Sequence, residues 1–246
     1  PLDKIAHFNL VTVAPDQYLF EVLVLMTRHK VTRVVVMERN DLKGVVELTD
    51  VLSYFSSRSY VVSLQVEQAS SLEALSAASQ RTPELVKALM AQGVKLRFAM
   101  DLLAALNGRI MSKAWEFTID ERYREQSCMM VMGSEGRGEQ ILKTDQDNGL
   151  ILADETQWPD IASHMQTLTD TLIQLGYPPC PGNIMVSNPE WVATVSQWKS
   201  NIAKWASERD GDSLMKLAIM LDAHAVAGNP RLLESVRDEL FDRCSR

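Results

Sequence analysis

Cysteine is scarce in this chain. Cys128, Cys180 and Cys244 are odd in number and far apart, so neither a disulfide framework nor a zinc-ligand spacing is present. Reduced thiols are the simplest expectation, and they suit a cytoplasmic protein. Long apolar runs are missing as well. None approaches the ~20 residues that a bilayer-spanning helix needs, so no membrane partner is expected. Positive charge is in deficit: 25 Lys and Arg stand against 32 Asp and Glu, for a formal net charge of −7. Nucleic acid is therefore excluded as a main partner, because backbone binding needs clustered Lys and Arg. His7, His29, His164 and His224 show no pairing with ligand spacing and are expected to be solvated or structural. No signal segment opens the chain, and Pro1 is no natural start, so a piece of something longer is expected. With 246 residues, 46% of them apolar, there is material for one large domain or two ordinary ones with a real core.

The informative stretch is 133–148, Gly-Ser-Glu-Gly-Arg-Gly-Glu-Gln-Ile-Leu-Lys-Thr-Asp-Gln-Asp-Asn. An apolar run, Cys128 to Met132, enters it, and Gly149-Leu150-Ile151-Leu152 leaves it. Asp145 and Asp147 are two apart, and on extended chain such side chains share a face. Two carboxylates there repel, and a hard divalent cation relieves the repulsion while also binding phosphate oxygens. Glycine at Gly133 lets backbone N–H groups come close to phosphate. Ser134 adds a hydroxyl, Arg137 a planar fork and Lys143 a point charge. Each part alone reads as an ordinary turn; the combination between two apolar runs reads as a site for a metal-bound triphosphate.

This segment resembles the signature of the polymerase-β-like nucleotidyltransferase superfamily, Gly-Ser followed by Asp-x-Asp on the next strand. More narrowly it resembles the nucleotidyltransferases found beside CBS domains in bacterial signalling proteins, relatives of the protein-PII uridylyltransferase. Cys180-Pro181-Gly182-Asn183-Ile184-Met185, Asn188-Pro189-Glu190-Trp191 and Leu221 to Asn229 also look like that family, and the likeness runs over about 85–246. The resemblance implies that Gly133 and Ser134 grip a nucleoside triphosphate and that Asp145 and Asp147 ligate Mg²⁺ or Mn²⁺. It implies transfer of a nucleotidyl group to a protein or small-molecule acceptor, with a PII-like regulatory protein as the analogy. The superfamily supplies a third carboxylate on a later strand. Asp222 is a candidate, set among Leu214, Leu217, Ala218 and Leu221 at helical spacing. Asn183 is a further candidate at the site, beside Gly182. A catalytically weak or inactive nucleotide-binding regulatory module is the alternative reading.

Residues 1–58 resemble one CBS repeat, with the order strand–helix–strand–strand–helix. Asp16 is expected to cap a helix over 17–29, Val34 to Met37 to form a strand, Arg39-Asn40-Asp41 a hairpin turn, and 42–48 the returning strand. Asp50 stands where such modules contact an adenosine ribose, so an adenine nucleotide is a candidate ligand; Glu47 replaces the Thr or Ser usual three residues before. Equally, Thr49 and Asp50 simply cap the next helix. One repeat leaves an apolar face that a mate covers, either a repeat lying upstream or a second copy of this chain, and a homodimer is expected.

The fold class expected is α/β (α+β): a CBS repeat at 1–58, a helical linker at 59–126, and a small mixed-sheet nucleotidyltransferase domain surrounded by helices at 127–246. Within the linker, Thr82-Pro83-Glu84 reads as a helix start with Thr82 as cap, and Leu96, Met100, Leu103, Leu106 and Ile110 as one amphipathic helix. Ile184-Met185-Val186 reads as a third strand, and Asn188-Pro189 as the cap of a helix carrying Trp191, Trp198 and Trp205 on a packed face.

Overall fold

The first sheet forms where β-branched residues are densest. β1 (Thr12–Val13), β2 (Arg33–Glu38) and β3 (Asp41–Glu47) lie in that order. β1 runs parallel to β2 and β3 antiparallel to it, with Val34 opposite Val46 and Val35 opposite Val45. α1 (Leu19–His29) connects β1 to β2, and α2 (Leu48–Tyr54) follows β3. The structure is a computed structural model and describes residues 10–39, 41–54, 60–91, 95–139, 145–208 and 210–244. His7, Asn40, Gly93 and Lys143 lie outside the described residues. Asp16 is not the cap of α1. The helix starts at Leu19 with Tyr18 as its N-cap, and Tyr18 makes no side-chain cap bond. Pro15 and Asp16 are instead held in a turn, where the Gln17 N–H donates to the Ala14 carbonyl.

Helices α3 (Tyr60–Gln68), α4 (Leu72–Ser79), α5 (Thr82–Ala91), α6 (Leu96–Thr118) and α7 (Glu121–Arg124) follow. Thr82 does not cap α5. Its hydroxyl donates to the Ser79 carbonyl at 2.9 Å, and the Arg81 carbonyl accepts the first helical N–H groups. α6 is the spine of the molecule. Its Ala99, Leu102 and Leu106 join a core with Val22, Leu23, Met26 and Val34 beside the first sheet. Further along, Ile110, Met111, Ala114 and Trp115 join a second core with Met129, Val131 and Leu150.

The second sheet has the order β6-β5-β4-β7, from β4 (Ser127–Val131), β5 (Asn148–Leu152), β6 (Val192–Thr194) and β7 (His224–Gly228). β4 is antiparallel to β5 and β7, and β5 is parallel to β6. Every residue of β4 and β5 is buried, because both faces are covered. α6 and α9 (Ile161–Gln174) pack on Met129, Val131 and Leu150. α10 (Val195–Glu208), α11 (Gly211–Leu221) and α12 (Pro230–Cys244) pack on Cys128, Met130 and Ile151. Alternate β4 side chains thus feed opposite cores. The short α8 (Gly133–Gly136) follows β4.

Two expectations fail here. Ile184 to Val186 is not a strand. Its backbone is clasped by Asn148, whose N–H donates to the Ile184 carbonyl and whose Oδ1 accepts from the Val186 N–H, so the segment bends away as a turn. The third strand is β6. Asn188 caps only a 3-10 turn, Pro189–Trp191, and the long helix α10 begins after β6. Trp191, Trp198 and Trp205 do pack as core, with ring centroids 6.0–6.5 Å apart. β7 was not anticipated as a strand. The chain is a mixed α/β protein, and among the described residues no helix is long and apolar enough to cross a membrane.

Candidate nucleotide and metal site

Two segments run side by side at the entry to β5. Gln146 forms a parallel bridge with Pro179, and its N–H donates to the Pro178 carbonyl at 2.9 Å. Its side-chain amide donates to the Tyr177 carbonyl at 3.1 Å and accepts from Asn148 at 3.1 Å. Gln146 and Asn148 are buried, so this polar ladder is satisfied from within and fixes the register of the two segments. Side chains alternate along extended chain. With Gln146 turned inward, Asp145 and Asp147 turn the other way, and the register brings Cys180 beside Asp147. Ligand atoms of Asp145, Asp147 and Cys180 all lie within 4.8 Å of one another.

Gly133 closes the site from the end of β4. Its φ is +57, in the left-handed region, and a Cβ there would lie 2.6 Å from Asp147 Oδ2. The Met132 N–H donates to the Asp147 carbonyl at 2.9 Å. Glycine is thus required twice, by conformation and by the carboxylate lying against it. Ser134 follows at the start of α8, and its carbonyl accepts from the Glu139 N–H at 3.1 Å.

Burial pushes the Asp147 carboxyl above its ordinary value, and Asp145 adds to this; a hydrogen bond from Cys180 opposes it. Asp147 Oδ1 is buried with no hydrogen-bond partner. Burial also raises the Cys180 thiol, followed by its bond to Asp147. An orphaned carboxylate oxygen beside a second acid and a sulfur fits a divalent cation, which would satisfy the orphan and cancel the repulsion.

The other residues singled out from sequence fall differently. Arg137 is turned to two carboxylates, Glu139 at 2.9 Å and Asp222. Those bonds raise its guanidinium further above its ordinary value. Asp222 is the C-cap of α11 and does not belong to the Asp145–Asp147–Cys180 group. Asn183 is exposed at φ +55, holding a turn in which its N–H donates to the Cys180 carbonyl at 2.9 Å. Asp50 is exposed and accepts from the Glu47 N–H at 3.2 Å, while Glu47 pairs with Arg33 at 2.9 Å. Cys180 is the residue that sequence reasoning missed as a neighbour of the acids. It is remote from Asp147 along the chain, and only the bridge of Gln146 to Pro179 unites them.

A separate cavity of about 320 Å³ lies between α1, α6 and the turn after β4. Arg28, Lys30, Asp101, Arg109, Glu135 and Arg137 are among its walls.

Comparison with known families gives two matches. A family model described as putative nucleotidyltransferase DUF294 matches residues 80–212, more than half of the chain. A model of the CBS domain matches residues 3–57. A comparison with curated proteins finds no match.

Proposed function

We propose, from the premise that this chain belongs to the DUF294 nucleotidyltransferase family, that it moves a nucleotidyl group from a nucleoside triphosphate to a protein or small-molecule acceptor. The observation that carries this reading is the convergence of Asp145 and Asp147 on the left-handed turn at Gly133. Asp145 and Asp147 would hold Mg²⁺ or Mn²⁺. A divalent ion bound there would offset charge on the α-phosphate and the departing pyrophosphate. Gly133 leaves room for the phosphate chain to approach the backbone, and Ser134 would add a hydroxyl donor. Arg137 serves the site indirectly: its bond to Asp222 ties the turn after β4 to the end of α11.

The sequence resemblance to the protein-PII uridylyltransferase favours a regulatory protein as acceptor, by analogy of fold alone. The CBS unit at 3–57 would regulate the reaction through an adenine nucleotide near Asp50. Leu42 and Val45 of β3 are 62% and 54% exposed, which supports pairing of this sheet with a second copy of the chain. A cytoplasmic, signalling role follows from the same reading.

The test uses radiolabelled ATP, UTP, GTP and CTP with Mg²⁺ or Mn²⁺, a PII-like protein, and a pyrophosphate readout. Label should pass to an acceptor, or pyrophosphate should appear, and Asp145→Asn should abolish both. A second reading, a nucleotide-binding regulatory module without turnover, is favoured by one observation. Among the described residues the third member of the acid cluster is Cys180, not a carboxylate. Metal-dependent nucleotide binding without pyrophosphate release under any acceptor would select it.

A further inference from the structure

We propose that Cys180 is the third protein ligand of the divalent ion and tilts the site toward thiophilic metals, Mn²⁺, Co²⁺ and Zn²⁺, over Mg²⁺. This rests on the metal-site reading above and goes beyond it by naming a ligand and its consequence.

The geometry is set by register. Gln146 bridges Pro179 in parallel, so the next residue on each segment, Asp147 and Cys180, stand side by side on the same face. The Cys180 sulfur and a carboxylate oxygen from each acid fall within 4.8 Å of one another. Ligands about 2.0–2.4 Å from a common ion are separated by distances of this order. Asp147 Oδ1 is buried and unpartnered, an acceptor that a bound cation would satisfy. The loop after Cys180 wraps the sulfur. A Cβ at Gly182 would stand 3.6 Å from Sγ, and the Asn183 N–H donates to the Cys180 carbonyl at 2.9 Å.

On binding, the Cys180 S–H bond breaks, its proton passes to solvent, and a sulfur–metal bond forms; nothing is oxidised or reduced. Mg²⁺ takes oxygen ligands in strict octahedral geometry and binds thiolate poorly. The later first-row ions accept sulfur. A carboxylate at this position would make an all-oxygen site, and cysteine makes a mixed one.

The experiment titrates the whole chain with Co²⁺, Mn²⁺ and Mg²⁺, alone and with a non-hydrolysable triphosphate analogue. It reads calorimetry and near-ultraviolet absorption, with circular dichroism confirming the fold of each variant. Wild type should bind Co²⁺ with a sulfur-to-cobalt charge-transfer band. Cys180→Ser keeps a hydrogen-bond donor for Asp147 but should lose the band and about tenfold or more in Co²⁺ affinity, with Mg²⁺ affinity little changed. Cys180→Asp should shift preference toward Mg²⁺. Co²⁺ bound by wild type without the band, and equally well by Cys180→Ser, overturns the ligand role of Cys180 and leaves the nucleotidyltransferase reading standing. No divalent binding by wild type under either condition overturns both.

Discussion

At Asp147 the chain keeps a half-buried carboxylate whose Oδ1 has no hydrogen-bond partner. Its folded pKa is raised, first by burial and then by Asp145. The sign follows directly. An acid that binds its proton more tightly when folded makes the fold less stable as pH rises from the ordinary value, 3.8, through the raised one. At neutral pH that destabilisation is fully present unless a cation occupies the site. Asp147→Asn removes the charge and still accepts from Cys180. It should raise the metal-free Tm by a few degrees while reducing divalent-ion binding to background. Thermal scans with and without Mn²⁺ check both, and a fall in the metal-free Tm would show the carboxylate to be structural. Gly133→Ala acts on the same group from the other side. The left-handed backbone costs alanine about 1 kcal/mol, and its Cβ would meet Asp147 Oδ2 at 2.6 Å. The variant should unfold at lower temperature and bind Mn²⁺ about tenfold or more weakly, by calorimetry.

Among the elements, α3 and α6 are joined by one ion pair with a defined pH signature. Arg109, with a side chain only 11% exposed, donates to Glu67 at 2.8 and 3.0 Å. That bond holds the Glu67 carboxyl below its ordinary value of 4.5. A depressed acid stabilises the fold above its unfolded value, and the gain is lost as pH falls through the lower, folded one. Glu67→Gln should therefore cost about 1 kcal/mol, or a Tm loss of roughly 2–4 °C, at pH 7. The gap to wild type should close as the solution is taken below pH 4.5; an equal gap at both ends would mean that packing, not charge, is involved. This pair also shows where sequence reading reaches its limit. Helix α6 was legible because Leu96, Leu103, Leu106 and Ile110 repeat at helical spacing over a long run. The two central strands were legible as apolar runs flanking the Gly-rich turn. β6 and β7 were not. Val192–Thr194 has three residues, too few for a period, and His224–Gly228 is small and half-buried. The acid pair could be read because its spacing is local. Cys180 could not, because a side-chain ladder through Gln146 and Asn148 decides its place, and such a ladder has no pattern in sequence.

Across the whole molecule the question is whether an event near the first sheet is felt at the acid pair. α6 gives a physical route. Leu106 is 1% exposed in the core beside the first sheet, and Ile110, one turn on, is fully buried in the core beneath β4 and β5. One rigid helix cannot lose its packing in the first core and keep its place in the second. Lys30, just past α1, adds a polar tie to Ser112 at 3.1 Å. The distribution of tryptophan makes this testable. Trp115, Trp158, Trp191, Trp198 and Trp205 are the five tryptophans of the chain, and all sit in the cores around the second sheet. Fluorescence therefore reports only that half. Leu106→Ala removes side-chain volume from the other half at a cost of about 2–5 kcal/mol. If α6 couples the two, the fluorescence Tm falls by about 5–10 °C, and by the same amount as the far-ultraviolet circular dichroism. If the halves unfold independently, circular dichroism shows an early partial loss while the fluorescence transition stays where it is in wild type. The first outcome gives the CBS unit mechanical purchase on β4 and the turn at Gly133, which any regulation of nucleotidyl transfer by that unit requires; the second removes α6 as the route.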